Sequence, residues 1–443
     1  MTEHFSEAEL WDLASASQAS SQRARLHFEA CESCRALYES FAAIDAGLRE
    51  RDVWAAAEHL RVEGADSALR LRQFAARLDA EREDAARLLQ PVLISPAEFE
   101  RHDVVRQPSF QTAACVEILC NTAEQMRERR PSFALALATT AATIAGKLER
   151  TPRTLGLRAR AELERGIALG MTGKFAGAEA ALERSAAALD EAPLATDWEY
   201  ACVGLARGVI YSNSERYDEA IGEAAAAAAV FREAGDMTRY LKAQMVVANV
   251  DIYRNRYADA TIIAQEIVAA ARHSDDVLLL AQAHHTAALC YSGLNECDTA
   301  LDHYAEAATR WDELGLTTEC VRVEWAVAAL LVRQGHMAAG IEQLALLPGR
   351  FAALGMINDA ALASLDLAEA LILAGRASDV PLILSGVIVT FSNEGLMRSA
   401  NLALAYLREA AGSNDVSADK IRHVRDYLAA LPTHPGQRFE PLR

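Results

Sequence analysis

Apolar residues recur three or four positions apart through most of the chain, which is the spacing of one face of a helix, and the whole pattern repeats every 40 residues. The pentapeptide RYDEA that begins at Arg216 recurs as RYADA from Arg256 and as ECDTA from Glu296. A second set of positions, mostly aromatic, also recurs every 40 residues. Four residues after each of them stands a Gly or Asp, which suits the end of a helix. The members of this set are Phe231, Ala271, Trp311, Phe351 and Phe391. Each unit is therefore predicted to be two antiparallel helices joined by a short turn.

Small residues form pairs twelve positions apart, one residue on each predicted helix of a unit. Two helices cross closely only where large side chains are absent, so these pairs predict the crossing points. The pairs are Gly208 with Ala220, Ala248 with Ala260, Ala288 with Ala300, Ala328 with Gly340, and Ala368 with Val380. The arrangement resembles the tetratricopeptide repeat, whose usual aromatic is matched by Tyr211 and Tyr291. That family has a period of about 34 residues, so the helices here are expected to be longer.

These patterns predict an all-α fold with four parts. Upstream of the regular units, Gly166 and Ala178 carry the same twelve-residue pair, and residues 109–148 have the pattern of another helix pair. We expect a tetratricopeptide-like solenoid of about seven helix pairs over residues 109–411. A small N-terminal domain (1–48) and a helical connector (49–108) precede it. Residues 412–443 are expected to form a capping helix, from about Ser417 to Ala430, and a loose tail.

Composition supports helices and a protein partner. Of the 443 residues, 51 % are hydrophobic but only 6 % are aromatic, which favours packed helices over sheets. Lys and Arg number 44 and Asp and Glu 62, so the net charge is 44 − 62 = −18, which argues against nucleic acid as the main ligand. The chain also shows no signal-peptide pattern and no apolar run of the roughly 20 residues that span a bilayer. We expect a cytoplasmic protein that contacts neither nucleic acid nor membrane.

Catalytic motifs are not found in the sequence, so an enzyme is not expected. Gly173-Lys174 is not a phosphate-binding loop, because the required earlier glycine falls on Ala168. His284 and His285 are adjacent, and neighbouring side chains on a helix diverge by about 100°. We therefore interpret them, with His303 and Cys290 nearby, as groove-lining or partly buried residues rather than metal ligands.

The segment with the most specific chemistry is His27-x3-Cys31-x2-Cys34. On a helix these three side chains lie along nearly one line, and imidazole and thiolate are the ligands that Zn²⁺ prefers. Zinc needs a fourth ligand, and His4 is the other His or Cys before His27. We expect one structural Zn²⁺ held by these four residues. The alternative is a helix that carries two cysteines without a metal.

This segment resembles the zinc-binding domain at the N-termini of bacterial anti-sigma factors, over roughly residues 1–45. That family has an upstream Cys or His, then His-x3-Cys-x2-Cys followed by Arg and Leu, which here are Arg35 and Leu37. His4 departs from the commoner Cys. The resemblance implies that the domain binds a sigma factor of the extracytoplasmic-function type and keeps it from RNA polymerase.

An apolar stripe follows the expected ligands and is a candidate contact with such a partner. Residues 1–50 also contain nine acidic and four basic residues, which suits a basic partner. The stripe consists of Leu37, Phe41, Ile44 and Leu48. It would alternatively pack on the protein's own helices.

Three functional hypotheses remain from the sequence. The first is an anti-sigma-type transcription regulator, whose solenoid binds a second protein or peptide in its groove. The second is a non-catalytic repeat scaffold in which the zinc site is only structural. The third, supported least, is a redox switch that uses Cys31 and Cys34.

Overall fold

The structure is a computed structural model that describes residues 5–6, 9–10, 13–14, 24, 26–28, 31–49, 51–393, 398–412, 416–431, 434 and 437–442. Within these ranges every regular element is helical, so the all-α expectation is confirmed. The chain divides into two compact units, Met1–Asp84 and Ala85–Arg443. No described helix is both long enough and apolar enough to cross a membrane.

The first unit contains helix α1 (Glu32–Arg49) and most of helix α2 (Arg51–Leu89). Its described core is a small cluster in which Leu10, Cys31 and Cys34 are buried. Five partly buried side chains pack around them: Phe5, Phe28, Leu37, Tyr38 and Phe41. The described core of this unit is therefore small and largely aromatic.

The second unit is a stack of antiparallel helix pairs. After α3 (Pro96–His102) the seven pairs are α4/α5, α6/α7, α8/α9, α10/α11, α12/α13, α14/α15 and α16/α17, and two further helices follow. Their bounds are α4 Ala113–Met126, α5 Pro131–Ala145, α6 Pro152–Met171, α7 Phe175–Glu191, α8 Asp197–Asn213, α9 Tyr217–Glu233, α10 Met237–Tyr253, α11 Tyr257–Ala271, α12 Val277–Gly293, α13 Cys297–Glu313, α14 Thr317–Arg333, α15 Met337–Ala353, α16 Ile357–Leu373, α17 Val380–Asn393, α18 Arg398–Gly412 and α19 Ala418–Ala430.

The 40-residue repeat of the sequence is also the repeat of the structure. The first helices of pairs three to seven begin at residues 197, 237, 277, 317 and 357, and each has 17 residues. Gly235, Gly315 and Gly355 have φ of 72°, 66° and 74°, so they close the second helices in the left-handed conformation as predicted. The turn inside each of pairs two to seven also contains a left-handed residue, and at Glu215, with φ 59°, that residue has a side chain other than the usual Gly or Asn.

The predicted close crossings lie within the helix pairs. A Cβ atom at Gly208 would lie 3.3 Å from the carbonyl oxygen of Ala220. A Cβ atom at Gly340 would lie 3.1 Å from the carbonyl oxygen of Ala328. The alanines and Val380 of the other pairs are buried. Small residues therefore permit the backbones to approach, and the tetratricopeptide-like packing is confirmed.

The end of the stack is capped by α18 and α19. Ser417 is the N-cap of α19, where its side chain accepts a hydrogen bond from the Lys420 backbone N–H, close to the predicted start of the capping helix. The described tail residues, expected to be loose, lie against this cap: the ring of Phe439 packs on Tyr406 and Tyr427.

The path of the second unit curves until distant helix pairs touch. Nη2 of Arg129, in the turn of the first pair, donates a hydrogen bond of 2.8 Å to the carbonyl oxygen of Leu314, after the fifth pair. Nδ1 of His434, in the tail, lies 3.6 Å from a carboxylate oxygen of Glu215 in the third pair. The first helices of the pairs therefore face a confined interior.

Candidate functional site

The structure brings three of the four expected zinc ligands together. The candidate ligand atoms of His27, Cys31 and Cys34 all lie within 4.8 Å of one another, and both cysteines are buried. Helix α1 begins at Glu32, and the backbone N–H of Arg35 donates a hydrogen bond to the carbonyl oxygen of Cys31, so Cys31 and Cys34 lie about one turn apart on the same side. His4 lies outside the described residues. Among the described residues, these three are the His, Cys, Asp or Glu side chains whose ligand atoms lie close enough together to hold one metal ion.

Aromatic rings support this group of ligands. The ring of Phe5 contacts the His27 imidazole edge-on at 4.9 Å between centroids, and Phe28 stacks on Tyr38 at 4.8 Å. Burial raises the pKa of the Cys34 thiol, and the nearby Cys31 raises it further, while a hydrogen bond from the Phe5 backbone lowers it.

The residues fit Zn²⁺. Ligand atoms about 2.0–2.3 Å from a tetrahedral ion lie roughly 3.5–3.8 Å apart, so the separations found here need only a small contraction around the metal. Two thiols and an imidazole also form a donor set of the kind that structural zinc sites use.

The apolar stripe that follows the ligands is described only in its first half. Leu37 and Phe41 are partly buried and pack against the cluster of Leu10 and the two cysteines. These two residues of the stripe therefore pack within the protein itself, which was the alternative to a contact with a partner. Ile44 and Leu48 belong to α1, but their side chains lie outside what the structure describes.

The second candidate site is the interior of the repeats. Burial raises the pKa of Glu128, next to the first helix of pair one, and Glu319 of pair six and Lys242 of pair four both act electrostatically on its carboxylate. Groups from three distant pairs therefore face one interior. We call the surface that carries these three residues the inner surface.

Ion pairs on or beside the inner surface connect the first helix of one pair, or a residue next to it, with the first helix of the following pair or a residue next to that helix. They place cations and anions alternately, so the surface has no single sign of charge. The pairs are Arg153 with Glu117 at 3.7 Å, Arg160 with Glu124 at 3.3 Å, Arg127 with Glu164 at 3.7 Å, and Lys242 with Asp276 at 3.9 Å. Burial raises the pKa of Glu164 to about 7 although Arg127 opposes this shift, so desolvation outweighs the ion pair.

Two amide side chains on the inner surface make no hydrogen bond within the described chain. Asn249 lies two helical turns beyond Lys242 and so shares its face. Gln282 lies 40 residues beyond Lys242, at the equivalent position of the next pair. Both are half-buried. A half-buried amide with no intramolecular partner has two donors and one acceptor to offer a ligand.

Accessible apolar and aromatic side chains stand at positions of the repeat that are equivalent to, or one helical turn from, the positions of these amides. Val209, at the position equivalent to Asn249 in the previous pair, is 44 % exposed. Tyr253 is 51 % exposed, yet enough protein surrounds its ring for burial to raise the pKa of its phenol. Its ring also stacks on Tyr217 at 6.1 Å between centroids, so part of the ring is covered while about half of the side chain stays accessible.

The two adjacent histidines contact different neighbours, as their helical spacing predicts. Nδ1 of His284 lies 3.0 Å from Nδ1 of His303, so one of the two nitrogens donates a proton to the other. The ring of His285 instead contacts Tyr304 edge-on at 5.9 Å. Burial lowers the pKa of both His284 and His285 to about 4, and both are therefore neutral at physiological pH.

Sequence reasoning missed the amides and the ion-paired lining. Their signal was present in the polar residues that stand at corresponding positions of successive units, such as Lys242 and Gln282. It was hidden because a polar residue on a helix is usually interpreted as solvent-exposed.

No family model and no curated protein matches this chain. Solved structures with a similar chain path include the apo form of RapI, with 13 % identity over 63 % of this chain and 99 % of that chain and a TM-score of 0.47. Aspartyl phosphate phosphatase F from Bacillus subtilis has 11 % identity over 75 % and 98 %, and a TM-score of 0.49. The Rap conjugation gene regulator of the plasmid pLS20, in complex with the Phr* peptide, has 12 % identity over 73 % and 98 %, and a TM-score of 0.43. These values are too low to transfer a property of those proteins to this chain.

Proposed function

We propose that this chain is a non-catalytic repeat protein whose inner surface binds an extended segment of a partner protein. The observation that carries the proposal is the pair of half-buried amides, Asn249 and Gln282, which have no intramolecular hydrogen bond. Amides both donate and accept, so they match the alternating N–H and C=O groups of an extended backbone. Accessible side chains such as Val209 and Tyr253 would then take the partner's apolar residues.

The charges of the inner surface support a binding role rather than catalysis. Glu164 is 7 % exposed and faces Arg127, so its carboxyl is poorly placed to reach a substrate. The lining alternates in sign, so a partner with charges of both signs fits it better than a polyanion.

The test uses a displayed library of random peptides selected on the full-length protein. The best peptides should bind the Asn249→Leu/Gln282→Leu double variant at least about tenfold more weakly, which corresponds to the loss of about 1.4 kcal/mol of hydrogen bonding. Gln343→Leu on α15 is the matched control, because that amide is exposed and makes no hydrogen bond among the described residues. Peptides that bind all three proteins equally would contradict the proposal.

The convergence of His27, Cys31 and Cys34 favours a second function for the N-terminal unit. Here we propose that one Zn²⁺ orders this unit and that the ordered unit binds a sigma factor of the extracytoplasmic-function type. The support is the donor set in the structure together with the sequence resemblance, with His4 as the expected fourth ligand. The solenoid would then carry a second protein or peptide that tunes this contact.

Zinc content separates the parts of this second proposal. We expect about one zinc per chain in protein purified under reducing conditions, and none in Cys31→Ser. Cys115→Ser is the matched control, because Cys115 is also a buried free cysteine but lies in α4. Zinc loss in both variants, or in neither, would contradict the site. Co-purification of a sigma factor with the wild type and not with Cys31→Ser would support the anti-sigma role, and binding that survives deletion of residues 1–48 would exclude it.

A further inference from the structure

The last described residues of the chain lie in an aromatic pocket on the cap. The ring of Phe439 is surrounded by three rings from α18 and α19, with centroid distances of 5.5 Å to Tyr406, 5.3 Å to His423 and 5.1 Å to Tyr427. Tyr427 is 6 % exposed, so it belongs to the hydrophobic core beneath the pocket. We call these three receptor residues the tail pocket.

The same three side chains hold the backbone of the tail. The Tyr427 hydroxyl donates to the carbonyl oxygen of Gln437 at 3.1 Å, and Nε2 of His423 lies 2.7 Å from the carbonyl oxygen of Glu440. The Tyr406 hydroxyl donates to the carbonyl oxygen of Leu442 at 3.4 Å. Residues 437–442 have no regular secondary structure of their own. Each receptor residue therefore contributes both to the ring contact and to a backbone hydrogen bond.

The direction of the tail is fixed by these bonds. Gln437 lies beside Tyr427 and Glu440 lies beside His423, so the tail runs antiparallel to α19. His423 and Tyr427 are four residues apart and share one face of that helix. The pocket is thus a helix face that binds an extended chain through backbone hydrogen bonds and one aromatic side chain.

This recognition depends little on which chain supplies the segment. Hydrogen bonds to backbone carbonyls are available from almost any extended sequence, and the side chain held by the pocket is a single phenylalanine. Arg438 is exposed and forms no ion pair among the described residues. The neighbouring tail side chains therefore add little to selectivity.

We propose that the tail pocket is a docking site for an extended, phenylalanine-containing segment of a partner protein, and that the chain's own tail occupies it in cis as a displaceable ligand. The tethered tail competes at an effective concentration of about millimolar, so a partner segment gains access when it is presented at high local concentration. This site is separate from the inner surface, and it stands whether or not the repeats bind a peptide.

The probe is a fluorescently labelled peptide with the sequence of residues 434–443, added to the full-length protein. Phe439→Ala weakens the cis ligand but leaves the pocket intact, so this variant should bind the peptide at least about tenfold more tightly than the wild type does. Arg438→Ala is the matched control and should behave as the wild type. A peptide in which alanine replaces its phenylalanine should not bind.

A variant of the pocket itself completes the test. His423→Ala added to Phe439→Ala should abolish binding, while the helical circular dichroism of both variants should match the wild type, because Phe439 is only half-buried at the end of the stack. If Phe439→Ala alters the fold, deletion of residues 437–443 in its place removes the cis ligand, keeps all three receptor side chains and should raise peptide binding at least as much. The proposal is overturned if no variant binds the peptide better than the wild type does, or if the peptide without phenylalanine binds as well.

Discussion

The close crossing of α14 and α15 makes a prediction about one methyl group. A Cβ atom at Gly340 would lie 2.6 Å from Cγ2 of Val332 and 3.1 Å from both the Ala328 carbonyl oxygen and the Val332 backbone nitrogen. Carbon atoms pack best at about 3.5–4.0 Å, so Gly340→Ala forces the two helices apart. The valine cannot yield easily, because a β-branched side chain has one preferred rotamer in a helix.

The expected magnitude has two opposing parts. Overpacking costs about 1–3 kcal/mol, whereas replacing a helical glycine by alanine gains about 1 kcal/mol. Gly349 lies on the same helix, and a Cβ atom there would meet nothing within 4 Å, so Gly349→Ala has only the gain. The difference between the two variants therefore isolates the cost of the crossing, which we expect to be about 1–3 kcal/mol.

Urea unfolding followed by the helical circular dichroism signal measures this difference. Both changes lie on α15, so any departure from two-state unfolding, which is common in repeat arrays, affects them similarly. We expect the midpoint of Gly349→Ala to lie above that of the wild type and the midpoint of Gly340→Ala to lie below that of Gly349→Ala. If the two alanine variants unfold at the same urea concentration, the backbones do not approach at Gly340 and the crossing is wrongly placed.

Two further predictions concern single side chains. Burial and the charge of His303 lower the pKa of His284 to about 4 in the folded protein, whereas in the unfolded chain it is about 6.5. Between these two pH values the unfolded state therefore binds more protons than the folded state. The free energy of unfolding consequently decreases as the pH falls from about 6.5 to about 4. The melting temperature of His284→Gln should therefore fall less than that of the wild type when the pH is lowered from about 7 to about 5. An equal fall in the two proteins would contradict this prediction. Glu215 has a φ of 59°, where the corresponding residues of later pairs are Asn255, Asn295, Gly335 and Gly375. Glu215→Asn should raise the urea midpoint by the equivalent of about 0.5 kcal/mol, while Glu215→Gln, which removes the charge but keeps the strained side chain, should not.

The repeat part of the fold was predictable because its physics is local and repeated. The 12-residue spacing of Ala328 and Gly340 can place two helices in contact only through their small side chains, and five copies in one register leave little room for another interpretation. The helix ends at Gly235, Gly315 and Gly355 were predictable for the same reason.

Contacts between distant segments were not predictable in this way. The bond between Arg129 and Leu314 has no local pattern, because it depends on how small rotations between successive pairs accumulate. The pocket around Phe439 has none either, because it forms where an irregular tail folds back onto the helices α18 and α19. The zinc ligands lie between these extremes. The spacing of His27, Cys31 and Cys34 indicated convergence, and the structure brings their ligand atoms together. The metal itself and the role of His4 stay predictions.

The bond from Arg129 to Leu314 also bears on how this protein can evolve. A repeat array in which each unit touches only its neighbours can gain or lose a copy by recombination at little cost, because the new copy makes the same contacts as the old. Here an extra 40-residue unit between the two residues would carry Leu314 onward along the curve and away from Arg129. Duplications and deletions inside this interval would therefore be selected against, and homologous chains should conserve the number of units between these two positions more strictly than the sequence within them.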